Sequence, residues 1–295
     1  IRCFCDAGIP AGAVSLVYGT PAEISEYLIA HPVVRKISFT GSTPVGKHLA
    51  ALAGGQMKPV TMELGGHGPV IVCRDADLDQ AAERVAAAKF RNAGQVCIAP
   101  TRFLLHKDIA AAFIEKFKAQ MSALKIGRGL DAGVTMGPVI NERRVKALTE
   151  LVDDARAKGA ELWQPDTALP NKGFFFPPTL VLKPTLEMRV MQEEPFGPIA
   201  IMDEFSELAD AIKEANRLPY GLAAYVYTGC ERTERLLGEK LEAGMVAINH
   251  HGIGVPEVPF GGVKDSGYGT EGGPAALRAH TIIKLVSSLH RPSAY

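Results

Sequence analysis

Short apolar, β-branched runs alternate with amphipathic stretches of helical period along nearly the whole chain, and this alternation restricts the fold more than any other feature. It predicts strands over residues 14–19, 34–39, 60–64, 70–73, 103–106, 223–228 and 245–249. Between them it predicts helices over 21–30, 43–52, 78–89, 109–124, 142–158, 207–216 and 231–241. Local punctuation agrees: Pro21 sits in a first turn, Asp75 or Asp77 is placed to cap the helix at 78, and Gly159 ends the helix begun at 142. Residues 1–7 read as the tail of a helix that stops at Gly8-Ile9-Pro10, and residues 173–179 as an extended aromatic and proline-rich piece. Strands separated by helices require a largely parallel sheet covered on both faces, so the fold class expected is α/β. The flexible pair Gly65-Gly66 marks a junction that closes a unit over 1–64; a main unit over 65–270 and a C-terminal return over 271–295 are expected beyond it.

The 295 residues give room for two cores. Lys+Arg and Asp+Glu are both 32, so no charge excess draws the chain to nucleic acid or to anionic lipid, and neither partner is expected. No apolar run approaches the roughly 20 residues needed to cross a bilayer. The five cysteines, Cys3, Cys5, Cys73, Cys97 and Cys230, form no Cys-x-x-Cys pair. That count argues against a disulfide framework or a zinc site and points to reduced thiols in the cytoplasm. Cys73 closes the apolar run Pro69-Val70-Ile71-Val72 and reads as a small buried hydrophobe. His250 and His251, adjacent on a strand, point to opposite faces, so no metal is expected.

Cys97 is different. It lies in Phe90-Arg91-Asn92-Ala93-Gly94-Gln95-Val96-Cys97-Ile98-Ala99-Pro100-Thr101, beside glycine and polar residues. Gly94 permits a tight turn, a thiol there is a nucleophile, and the Cys97 amide is placed to donate to an oxyanion. Upstream, Met62-Glu63-Leu64-Gly65-Gly66 puts a carboxylate at a strand end, where partial burial raises its pKa toward the range of a general base. A cysteine near glycine is weak evidence by itself, and Glu63 alone reads as a surface or capping residue; the two together argue for catalysis. Phe39-Thr40-Gly41-Ser42-Thr43-Pro44-Val45-Gly46 is a strand-to-helix turn whose amides and hydroxyls face where a pyrophosphate would lie, although it is not Gly-x-Gly-x-x-Gly. A further run is Glu193-Glu194-Pro195-Phe196-Gly197-Pro198.

In this order and context the runs around Glu63, Cys97 and Glu194 resemble the aldehyde dehydrogenase superfamily, over nearly the whole chain. The resemblance implies a partial Rossmann-type dinucleotide-binding unit followed by an α/β catalytic unit, with NAD or NADP as cofactor. It makes Cys97 the nucleophile, passing through a thiohemiacetal and a thioester, and Glu63 the general base. Glu194 would meet the nicotinamide-ribose hydroxyls and Phe196 would lie beside the nicotinamide. Thr40, Gly41, Ser42 and Leu64, with Gly19 on the same wall, would line the dinucleotide. Asn249 and the segment Pro259-Phe260-Gly261-Gly262-Val263-Lys264-Asp265-Ser266-Gly267 resemble the family's substrate-facing C-terminal part, with Phe260 meeting the aldehyde. Residues 281–287 would form a strand joining subunits into a homodimer or homotetramer. Lys89-Phe90-Arg91-Asn92 resembles the succinate-semialdehyde dehydrogenase branch, in which an arginine at the position of Arg91 meets the substrate carboxylate. An ω-carboxy semialdehyde such as succinate semialdehyde is therefore the expected substrate. Two departures stand out: His67 where the family often has lysine, and Pro195 where an aliphatic residue or threonine is commoner. The family also carries, upstream of the matching part, an asparagine of the oxyanion hole and a lysine that binds the adenosine ribose. A chain that opens inside a helix is expected to lack that part and to be inactive or nearly so alone. The alternative reading is a catalytically silent structural or oligomerisation fragment. A cysteine hydrolase, a third reading, needs a histidine paired with the thiol.

Overall fold

The computed structural model describes residues 1–289. In chain order the elements are α1 (Arg2–Asp6), α2 (Pro21–Ala30), β1 (Ile37–Thr40), α3 (Thr43–Gly55), β2 (Val60–Glu63), β3 (Gly68–Val72), α4 (Leu78–Phe90) and β4 (Pro100–His106). Next come α5 (Lys107–Ser122), α6 (Glu142–Ala157), β5 (Glu161–Trp163), β6 (Thr179–Leu182), β7 (Ile199–Phe205), α7 (Leu208–Asn216) and β8 (Tyr220–Gly221). The chain continues through β9 (Ala223–Tyr227), α8 (Glu231–Lys240), β10 (Met245–Ile248), β11 (Val263–Lys264), β12 (Gly267–Tyr268) and α9 (Gly273–Arg278). None of these helices is long and apolar enough to cross a membrane.

A seven-stranded sheet in the order β10-β9-β3-β4-β7-β6-β5 carries most of the structure. Every pairing in it is parallel except that of β5 with β6. Its central strands are buried on both faces, which is why β3 and β9 read as near-continuous apolar runs rather than as alternating ones. Successive side chains still divide between the faces. Val70, Val72, Phe103 and Leu105 join the core under α4, α5 and α6, where Phe90, Phe113 and Phe117 pack together. Ile71, Leu104 and Val226 point the other way, into a smaller core with Ala211 of α7 and Leu237 of α8. Asp77 caps α4 by accepting from the Gln80 amide.

The chain before Gly65 builds a separate small core. Ile29, Leu49, Ala53, Met62 and Leu64 bring α2 and α3 against β2. There β1 and β2 run parallel, and β12 returns from the far end of the chain to pair antiparallel with β2.

Some expectations fail. Residues 14–19 form no strand, and Leu16, Val17 and Tyr18 are exposed. An apolar run becomes a strand only where neighbours complete its hydrogen-bond ladder, and β1 has a single neighbour, β2. The strand expected at 34–39 shortens to β1. The strand expected over 281–287 is one between subunits; within a single chain these residues pair with no strand and leave Ile282, Ile283, Leu285 and Val286 exposed. In the other direction, β5, β6 and β7 were not anticipated; β7 ends in Asp203, Glu204 and Phe205, a mixed run that hides its buried start.

Candidate active site

Four chain segments converge at the C-terminal ends of β1 and β2. A cavity of about 720 Å³ lies among them, lined by Thr40, Gly41, Ser42, Glu63, Leu64, Cys97, Glu194 and Phe196. Eight of the eleven residues singled out in the sequence therefore share one wall. Gly19, Arg91 and Phe260 do not line it.

The cavity floor is tied together through backbone groups. The Gly41 amide donates to the Glu63 carbonyl, and the Leu64 amide donates to the Ser266 carbonyl. The buried Ser266 hydroxyl donates to Gly65 O at 2.7 Å and accepts from the Gly221 amide at 3.0 Å. The pair Gly65-Gly66 then threads between two functional groups. A Cβ on Gly65 would lie 2.5 Å from Glu194 Oε2, and one on Gly66 would lie 2.9 Å from Cys97 O. At Gly66 the clash is with backbone, so a side chain there would force the Cys97 segment to move; at Gly65 it would displace the Glu194 carboxylate.

Cys97 follows a sharp turn. Asn92 and Ala93 both hold φ of 52°, and Gly94 holds φ of 72° with its Cα against the Gly197 carbonyl. Crossed side-chain bonds fix the turn: Asn92 Nδ2 donates to Gln95 O, and Gln95 Nε2 donates to Asn92 O, each at 3.0 Å. Gln95 Oε1 also accepts from the Ile140 amide. One residue beyond the thiol, the Ile98 carbonyl accepts from Tyr225 Oη. Burial, then the nearby Glu194 and Glu63 carboxylates, push the Cys97 thiol up, while the Ile98 amide and Cys97's own act against them. The resting residue is thus a protonated thiol that needs a base.

Glu63, on the same cavity wall, is a buried carboxyl. It is 2% exposed and neither carboxylate oxygen has a hydrogen-bond partner among the described residues. Burial first, and Glu271 second, push its pKa up to about 8. Glu194 is raised to about 7 by burial, against the opposing pull of the Gly66 amide, Arg144 and Lys89. Lys89 is fully buried with no hydrogen-bond partner for its ammonium among the described residues, and burial lowers it to about 7 despite Glu194. Lys89, Arg144, Gln95, Ser266 and Glu271 were not singled out as functional in the sequence. Lys89, Gln95 and Ser266 lie inside motifs already quoted; nothing local marks Arg144 and Glu271.

A second cavity, of about 450 Å³, lies on the other side of Val96, which lines both. Arg84, Arg91, Tyr225 and His251 are on its walls. The Arg84 guanidinium donates to the Asn249 carbonyl. Asn249 itself holds φ of 58° and clamps Thr228, accepting from its amide and donating to its carbonyl. This turn carries His251 over Tyr225 at 4.1 Å between ring centroids, where burial pushes the imidazole down to about 4 and keeps it neutral. Phe260 lines neither cavity; its backbone bridges to Glu271. Among the described residues no group of three or more His, Cys, Asp or Glu side chains converges to hold a metal ion.

The sequence profile of the aldehyde dehydrogenase family matches residues 1–286. The chain belongs to this family. Among curated aldehyde dehydrogenase relatives, it is 48% identical over 278 residues to 4-(hydroxymethyl)benzenesulfonate dehydrogenase TsaD1 of Comamonas testosteroni, covering 94% of this chain and 58% of the relative. It is 44% identical over 280 residues to 3-sulfolactaldehyde dehydrogenase of Pseudomonas putida, covering 95% and 58%. The crystal structure of succinate-semialdehyde dehydrogenase from Burkholderia pseudomallei superposes with a TM-score of 0.92 at 42% identity, over 95% of this chain and 58% of that one. The chain thus spans a little over half the length of the aldehyde dehydrogenases it matches.

Proposed function

We propose that the protein serves the NAD(P)-dependent oxidation of an aldehyde to a carboxylic acid, with Cys97 as nucleophile and Glu63 as general base. The observation that carries this reading is the convergence of a thiol, a partnerless buried carboxylate and a second carboxylate on one cavity. Glu63 takes the thiol proton as Cys97 Sγ bonds to the aldehyde carbon, giving a thiohemiacetal. The nicotinamide cofactor, when bound, accepts the hydride that converts this adduct to a thioester. Once Glu63 has released that proton to solvent, it draws a proton from the water that attacks the thioester; the carbon–sulfur bond breaks, the acid leaves, and the Cys97 thiolate takes a proton back. A base of pKa about 8 suits both proton transfers near neutral pH.

The residues present fit a nicotinamide end. Glu194 Oε1 is held by the Gly66 amide at 3.2 Å, which leaves Oε2 to accept from ribose hydroxyls. The space a Cβ of Gly65 would fill is next to that oxygen. Phe196 offers a flat wall, and Thr40, Gly41, Ser42 and Leu64 extend the same surface. The aldehyde side is assigned to the second cavity, with Arg91 meeting a distal carboxylate, so an ω-carboxy semialdehyde such as succinate semialdehyde is the proposed substrate. Two of the relatives named above support an anionic aldehyde, since 3-sulfolactaldehyde and succinate semialdehyde both carry an anionic group. The exposed Ile282, Ile283, Leu285 and Val286 fit self-association into a dimer or tetramer.

Differential alkylation tests the core of the proposal. Succinate semialdehyde should slow iodoacetamide alkylation of Cys97, read from its tryptic peptide by mass spectrometry, and leave Cys3, Cys5 and Cys230 unaffected. No protection, or equal protection of all the thiols, overturns the reading.

A further inference from the structure

Arg144 lies in the first turn of α6, far in sequence from the residues assigned above, yet its side chain lines the cavity that holds Cys97 and Glu194. Two contacts place it. Its Cζ is 5.6 Å from the centroid of the Phe196 ring, and Nη1 donates to the Pro195 carbonyl at 3.3 Å. A guanidinium has five N–H donors. Among the described residues that single bond is the only one its side chain makes, and no carboxylate forms an ion pair with it. A half-buried cation with uncommitted donors thus faces a ligand-sized cavity. Glu194, at the other end of the same three-residue turn, keeps one oxygen without a protein donor. The two opposite charges stand close without neutralising each other by contact. Between them Phe196 holds φ of 44°, which a bulky residue keeps only when its surroundings impose it.

We propose that Arg144 is a positioning residue of the dinucleotide site: it pins the Phe196 ring and presents its free donors to an anionic group of the cofactor. This rests on the cofactor reading above. A cation over the face of the ring supplies the contact that holds the left-handed turn. The remaining donors match a phosphate, which a guanidinium binds in a fork that lysine does not reproduce. Arg144 also joins Lys89 and the Gly66 amide in favouring the ionised form of Glu194, so that carboxylate accepts hydrogen bonds rather than donating one.

The test compares wild type, Arg144→Met and Arg144→Lys in the full chain. NADH is titrated by its fluorescence at several salt concentrations, and amide exchange across residues 194–197 is followed without ligand. Arg144→Met should weaken NADH binding roughly tenfold or more, flatten its salt dependence and speed exchange at Phe196 and Gly197, with the melting temperature unchanged. Arg144→Lys should recover the salt dependence but only part of the affinity. Wild type that binds no NADH overturns both the cofactor reading and this assignment. Equal NADH affinity in wild type and Arg144→Met overturns the assignment alone and leaves the reading of Cys97 and Glu63 standing.

Discussion

Replacing Glu63 by glutamine should stabilise the protein, and increasingly so as the pH rises. The carboxyl is 2% exposed, its oxygens lack partners, and its pKa stands at about 8 against an ordinary 4.5. The folded protein therefore holds this proton more tightly than the unfolded chain does. Its contribution to stability is fully present below pH 4.5 and is lost as the pH climbs through 8. At about 1.4 kcal/mol for each tenfold, the loss is about 3 kcal/mol at pH 7 and approaches 5 kcal/mol by pH 9. Glutamine keeps the shape and does not titrate. With roughly 2 °C per kcal/mol for a chain of this size, Glu63→Gln should melt about 6 °C above wild type at pH 7 and less than about 1 °C above it at pH 4.5. The buried amide adds a constant, so the change with pH carries the argument rather than the absolute offset. Thermal melts of both proteins across this range by circular dichroism decide it. A difference that stays constant from acid to alkaline pH would refute the claim that Glu63 is buried and uncompensated.

Other perturbations probe separate parts of the structure. Arg91→Ala should raise roughly tenfold the concentration of succinate semialdehyde needed to protect Cys97 from iodoacetamide, and an unchanged protection curve removes Arg91 from the substrate site. Gly94→Ala forces a side chain into a left-handed turn and against the Gly197 carbonyl, so denaturant unfolding should show a loss of roughly 2 kcal/mol or more together with slower alkylation of Cys97. Asp77→Ala removes the cap of α4 and should cost about 1 kcal/mol in the same unfolding assay, without affecting the reactivity of Cys97.

Much of the fold was legible because local rules and tertiary packing agree. Of the two aspartates offered as cap, Asp77 caps α4, and the β3 and β9 runs are apolar because both of their faces are covered. Where the two disagree, the sequence misleads. Residues 14–19 have the composition of a buried strand, yet Tyr18 is among the most exposed aromatic residues, because strand formation depends on neighbours that a local window does not contain. Lys89 makes the converse point. As the last polar residue of an amphipathic stretch it has no local signature of burial, and only the packing of the Cys97 turn over the end of α4 encloses it. The site itself divides the same way. Glycine-rich turns announce where backbone approaches closely, so Gly65-Gly66 and Gly94 were visible. Arg144 and Glu271 reach the site from distant elements, and their spacing along the chain carries no trace of it.

The partition between the two cavities bears on how such a site can be re-engineered. At Val96 a single side chain serves both compartments. A larger residue there would narrow both at once, and a smaller one would widen both. On the assignment proposed above, aldehyde preference is therefore not adjustable at this position independently of the dinucleotide. Libraries meant to broaden or invert it belong on Arg84, Ala87 and Ala88, along the side of α4 that touches only the far compartment.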